Sequence, residues 1–238
     1  MIFGKFTAAA PEITLLVMLC VVLLTDLFVK DEARRITFWI TIASLLLTAF
    51  AILATEPPTY TVLFHGSYIS DALSQVLKLA AVALVAVGFL YSRDYLRQNE
   101  LMKGEYYLLG LFGLLGMMVM ISANSLLIMY LGLETLSLSL YTLVAFDRDN
   151  ADSAESAMKY FVLGAIASGS LLYGISWIYG ITGSLQFDEI ASRLGDADVH
   201  QMSLWFGMVF ILVGIAFKFG AVPFHMWLPD VYQGARTP

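Results

Sequence analysis

Three charged side chains, Glu134, Lys159 and Lys218, lie within long apolar runs, and a fourth, Lys78, lies nearer the end of one. A charge at the centre of a bilayer costs at least ~2.5–3.5 kcal/mol on insertion scales, so each of these groups needs a partner or a task. Carboxylates and ammonium groups set in apolar helices can take up, hold and release protons, and that is the chemistry these residue types offer. Glu134 is the sharpest case. It sits about ten residues into the apolar run Ser125–Phe146, roughly 14 Å from one end at 1.5 Å per residue. Tyr130, Glu134, Ser137 and Tyr141 fall at i−4, i, i+3 and i+7, which is one face of a helix. A polar stripe around a carboxylate suits a hydrated interior path; a structural carboxylate tied to a neighbouring helix is the alternative.

Lys218 lies about 15 residues into a run that begins near Ser203, with Gly220 and Pro223 just beyond. Proline at 223 removes a backbone donor and clashes with the carbonyl at 219. The expectation is a broken helix with exposed carbonyls beside an ammonium, as in discontinuous transporter helices; the alternative is a lysine snorkelling at a helix end. Lys159 stands at the start of its run, where Asp152 and Glu155 read as a capping pair. Snorkelling would suit it, yet its face continues through Ser170, Tyr173 and Trp177. Lys78 is expected to snorkel or to pair locally. His225 follows the break and titrates near neutral pH, so it suits a proton relay as well as a plain loop. His65 and His200 read as surface residues.

These residues need helices in lipid to position them. Of 238 residues 59% are apolar and 13% charged, against about 25% charged in a soluble domain, and the mean hydropathy is +0.79. A water-soluble enzyme and a disordered chain are both excluded. One cysteine, Cys20, leaves no disulfide framework and no cysteine-based zinc or iron–sulfur site. A net charge of −6 argues against nucleic acid as a partner. No paired-histidine metal spacing, phosphate loop or nucleophile elbow is present. The 12 tyrosines and 4 tryptophans read as span filler and interface belts.

The apolar runs are continuous and about 20 residues long, which suits helices and not barrel strands. Seven spans are expected: Pro11–Val29, Ile36–Ala54, Ala72–Tyr91, Tyr106–Ser122, Ser125–Phe146, Met158–Ile181 and one from about Ser203, with a short surface helix at Leu185–Leu194. The first does not read as a cleaved signal peptide, because Ala8-Ala9-Ala10 precedes the apolar stretch. Gly110, Gly113, Gly116 and the run Gly164–Ser170 are expected to let helices pack closely. One set of alternate loops carries Lys30, Arg34, Arg35, Arg93, Arg97, Lys103 and Arg148, the other only Lys5 and Arg193. Positive charge collects on the cytoplasmic side, so the N-terminus is expected to face away from it.

The segment from Phe217-Lys218-Phe219-Gly220-Ala221-Val222-Pro223 through His225-Met226-Trp227-Leu228-Pro229-Asp230 to Val231-Tyr232-Gln233-Gly234-Ala235 resembles the signature of the antiporter-like subunits of proton-pumping NADH:quinone oxidoreductase, respiratory complex I. Its ending, Asp230 to Ala235, is similar to the N-subunit branch, and Val231–Gly234 argues against the Mrp-type sodium/proton antiporters and membrane-bound hydrogenases that share the charged helices. The resemblance places Glu134 on the family's fifth helix, Lys159 on its sixth and Lys218 on its broken seventh. Arg236 stands where the family usually has proline. Members are about twice as long, with two inverted repeats, so the chain is expected to be an N-terminal part that lacks the eighth-helix lysine.

The resemblance implies an all-α polytopic membrane protein, with three N-terminal helices over 1–104 and the start of the first antiporter-like repeat over 105–238. It implies a membrane-arm subunit of a bacterial inner membrane, N-terminus periplasmic, surrounded by other complex I membrane subunits and lipid. Protons would pass along Glu134, Lys218, Lys159 and, last, His225, driven by quinone reduction elsewhere. NADH, flavin, iron–sulfur clusters and quinone would belong to partner subunits, with no cofactor in this chain. A scaffold whose charges only hold helices together is the competing expectation.

Overall fold

In lipid the backbone finds no water, so apolar runs of this length close their hydrogen bonds internally as helices. The computed structural model describes residues 7–29, 35–55, 61–99, 101–195 and 201–235. Lys5, Lys30, Arg34, His200 and Arg236 lie outside the described residues. Seven helices long and apolar enough to cross a membrane appear among those described: α1 (Ala10–Phe28), α2 (Arg35–Ala54), α3 (Ala72–Gln98), α4 (Gly104–Ile121), α5 (Leu126–Val144), α6 (Ala151–Thr182) and α8 (Gln201–Lys218). Between α6 and α8 runs the short α7 (Phe187–Leu194), and α9 (Trp227–Gly234) follows α8. The expected spans and the short surface helix are thus all present.

Two features were not expected. The loop before α3 carries a hairpin, β1 (Thr61–Leu63) against β2 (Tyr68–Ser70), with Val62 opposite Ile69. And α6 starts about two turns earlier than its hydropathy suggests. Its first turn is capped by Asn150, whose side-chain oxygen accepts from the backbone N–H of Asp152 (2.9 Å) and Ser153 (3.4 Å). Asp152 and Glu155 are therefore not the capping pair; an asparagine oxygen outside the helix reaches the orphan amides, and Glu155 turns to Lys159.

The chain forms two compact units. One holds Met1–Ala123 with Leu131–Leu143, the other Asn124–Tyr130 with Val144–Arg236. In the first, α1 packs on α2 and α4, and α3 on α2 and α4. Leu15, Leu19, Val22, Phe38, Leu111, Leu114 and Met118 are almost fully buried. Phe38, Tyr107 and Phe89 meet edge to face, with centroids 5.6 and 5.3 Å apart, and Arg93 lies 4.6 Å over the Phe38 ring. Leu27, Phe28, Phe50 and Leu53 point outward, two-thirds exposed or more, as lipid-facing side chains should.

Small residues set the closest approaches, since apolar lipid supplies no hydrophobic drive between helices. A Cβ on Gly116 would sit 2.6 Å from the Gly132 carbonyl oxygen. In the second unit a Cβ on Gly174 would meet the Gly207 carbonyl oxygen at 2.7 Å. Gly169, from the small-residue run on α6, faces open space instead; Ala167 and Leu171 of that helix receive Gly214.

Candidate functional site

Lys218 is the last residue of α8, and it is half-buried. The helix stops there because Gly220 turns left-handed, at φ +62. Its N–H donates to the Phe217 carbonyl (2.9 Å), and the Ala221 N–H donates back to the Ala216 carbonyl (2.8 Å). That pair of bonds is a Schellman cap. The break expected after Lys218 is present, but its cause is Gly220 and not Pro223. It also leaves fewer naked carbonyls than expected, because the Phe217 oxygen accepts a second bond from Trp227 Nε1 (3.1 Å).

Past the break the chain resumes as α9, antiparallel to the first turns of α6. Trp227 stacks on Tyr160 with centroids 4.5 Å apart and planes 8° from parallel, and it lies 5.4 Å from Phe217. Ser156 Oγ donates to the Asp230 carbonyl (3.0 Å), and Ser153 Oγ to the Gly234 carbonyl (2.6 Å). A Cβ on Gly234 would overlap Ser156, so glycine is required there. The packing role of Trp227 is one that sequence reasoning missed: the tryptophans read as interface filler, and only the break brings this ring between two helices.

Lys159 is held from two directions. Its Nζ lies 2.9 Å from Asp230 Oδ2 and 2.9 Å from Glu155 Oε1, one helical turn back. Asp152, Ser156 and Gln233 complete an open cavity of about 180 Å³ around it. Three carboxylates around one ammonium make an acidic mouth that gathers cations and protons. The lysine remains exposed, so the pair is a wet one. His225 lies exposed in the turn between α8 and α9, where its carbonyl accepts from the Leu228 N–H (3.0 Å).

Glu134 is half-buried in the stretch of α5 that belongs to the first unit. Ser137 and Tyr141, on the same face, are buried. Ser137 Oγ donates to the Leu133 carbonyl at 2.8 Å, and Thr135 and Ser139 bond back to their own helix in the same way. The hydroxyl stripe is therefore partly spent on the backbone. The structure brings Lys159 and the post-break helix together; Glu134 falls in the other unit.

Lys78 does not snorkel. It is 2% exposed and forms a 2.5 Å ion pair with Glu12, a residue sequence reasoning did not single out.

Seven apolar helices among the described residues, the last ending in a lysine and a glycine cap, with a carboxylate inside the fifth, make a polytopic membrane protein of antiporter-like fold. Residues 123–238 match the pattern of the NADH:quinone oxidoreductase/Mrp antiporter transmembrane family. NADH-quinone oxidoreductase subunit N of Alkalilimnicola ehrlichii is 53% identical over 236 residues, 99% of this chain and 48% of that one. Respiratory complex I from Thermus thermophilus contains a chain with TM-score 0.75 and 32% identity, over 94% of this chain and 47% of that one. A subunit of the Mrp complex from a Dietzia species has TM-score 0.75 at 18% identity, covering 99% of this chain and 44% of that one, and shares the fold. The chain spans about half the length of the curated relatives it matches.

Proposed function

We propose that this chain supplies the first antiporter-like unit of a membrane-arm subunit of NADH:quinone oxidoreductase and moves protons through Glu134, Lys218 and Lys159. On this reading 1–104 are the three N-terminal helices and 105–238 open the repeat. The membrane is a bacterial inner membrane, with the N-terminus periplasmic. NADH, flavin, iron–sulfur clusters and quinone reside in partner subunits, and quinone reduction there drives the transfer.

The observation that carries the reading is Lys218 at the end of a span that stops at a glycine cap and resumes as a separate helix. In this relay a proton is handed along these groups in turn, and Lys218 passes it on at the break. Lys159, held by Asp230 and Glu155 in the acidic mouth, exchanges with water on the other side of the break. His225, in the turn between, is the weakest member.

The test replaces Glu134 with Gln and Lys218 with Ala separately in assembled complex. Each variant is expected to impair coupled proton transfer while assembly stays largely intact. Normal proton transfer by both leaves only the scaffold role.

A further inference from the structure

Glu12, Tyr68 and Lys78 form a closed ring that the proposed relay does not use. Lys78 Nζ lies 2.5 Å from Glu12 Oε1 and donates to Tyr68 Oη at 3.0 Å. Tyr68 Oη lies 3.1 Å from Glu12 Oε2 and 3.2 Å from the Ala8 carbonyl oxygen. The ammonium also sits 5.1 Å from the Tyr68 ring centroid. All three residues are at least nine-tenths buried.

The ring has a defined place. α1 and α3 run in the same direction, and Glu12 and Lys78 lie about 3 and 9 Å from their starts at 1.5 Å per residue. The start of α3 is fixed. α3 has a capping box in which the Ser74 N–H donates to Asp71 Oδ1 (2.7 Å) and the Asp71 N–H donates to Ser74 Oγ (3.0 Å). Tyr68 is fixed from the hairpin side, where β2 bridges to Ala123 and the Ile69 N–H donates to the Ser122 carbonyl at 2.9 Å. Burial and the Glu12 carboxylate push the Tyr68 phenol up, so it stays protonated and keeps the ring closed.

Stability alone does not account for such a ring. A buried ion pair loses in desolvation much of what it gains in attraction, and apolar replacements of similar volume are often no less stable. Exposure within the pair is graded: the Lys78 side chain is 3% exposed and that of Glu12 11%. Glu12 is thus the more exposed of the two, although its Oε1 is buried, and it stands in the first turn of its helix, where the helix dipole suits a carboxylate.

We propose that Lys78 and Glu12 form a second proton-exchange site, at the membrane face where α1 and α3 begin, with Tyr68 as its positioning residue. The proton crosses the 2.5 Å contact: an N–H bond of the Lys78 ammonium breaks, and an O–H bond forms on Glu12. A neutral amine and a carboxylic acid result. Glu12 then gives its proton to water on that face, and Lys78 takes a replacement from water inside the membrane, which restores the ion pair. One proton has moved outward, and no other reactant is consumed. The inference rests on the proton-carrying role proposed above.

The decisive variant is Lys78→Arg in the assembled full-length complex in native membranes. Arginine keeps the charge and the pair with Glu12 but cannot give up its proton. The expected result is normal assembly and NADH oxidation with a loss of protons translocated per electron. The uncharged double variant Glu12→Gln/Lys78→Met should behave likewise. Wild-type translocation by either variant, once assembled, overturns the proposal. So does failure of both to assemble, which assigns the ring to folding alone. Glu134→Gln in parallel separates the two readings: if that variant also translocates normally, it is the relay that fails.

Discussion

At Lys159 one ammonium meets two carboxylates from different elements, Asp230 across from it and Glu155 one turn back. Because the lysine is exposed, the pair serves to place its Nζ more than to hold the fold. Asp230→Asn is therefore expected to leave assembly unchanged and lower coupled proton transfer, with Asp230→Glu restoring it; vesicle acidification measures both. Trp227 is the opposite case, buried between Tyr160 and Phe217. Trp227→Ala should cost about 3–5 kcal/mol, seen as a lower melting temperature of the purified complex. Glu134, Lys159 and Lys218 were legible as single letters, since a charge inside an apolar run stands out. Glu12 was not. An acidic residue in a first turn is ordinary, and its partner Lys78 is distant in sequence, so only the folded helices reveal the pair.

Among the elements, the break after α8 separates two causes that the sequence offered together. Gly220 adopts φ +62, and a Cβ there would also press on Leu228. Gly220→Ala is expected to destabilise by about 1–2 kcal/mol or more, whereas Pro223→Ala should leave the end of α8 where it is. Thermal unfolding of the two variants side by side distinguishes them. Gly116 makes a similar demand on α4 and α5. With a carbonyl and an amide both 2.6 Å from its Cβ position, Gly116→Val should overpack by about 1–3 kcal/mol or more and reduce the assembled fraction on a native gel. Spans were legible to within a turn or two because hydropathy dominates them. The start of α6 was not, since a helix extends into water for as long as a cap such as Asn150 supports it. The hairpin escaped notice because strands of three residues carry too little alternation to read.

For the whole molecule, alternating spans and the loop charges predict an orientation that labelling can check. With Cys20 replaced by serine, single cysteines at positions 5 and 97 should react from opposite sides of the membrane; the same side for both refutes the topology. The family was legible from the single segment that runs through the break, because its glycine, tryptophan and aspartate each meet a structural demand: a left-handed turn, a ring between helices, a partner for Lys159. Proton translocation by this unit is tested most directly by the number of protons moved per electron in membranes carrying Glu134→Gln and, separately, Lys218→Ala, with assembly and NADH oxidation measured on the same preparation. The relay predicts that both variants assemble and both move fewer protons per electron; wild-type proton movement in both would contradict it.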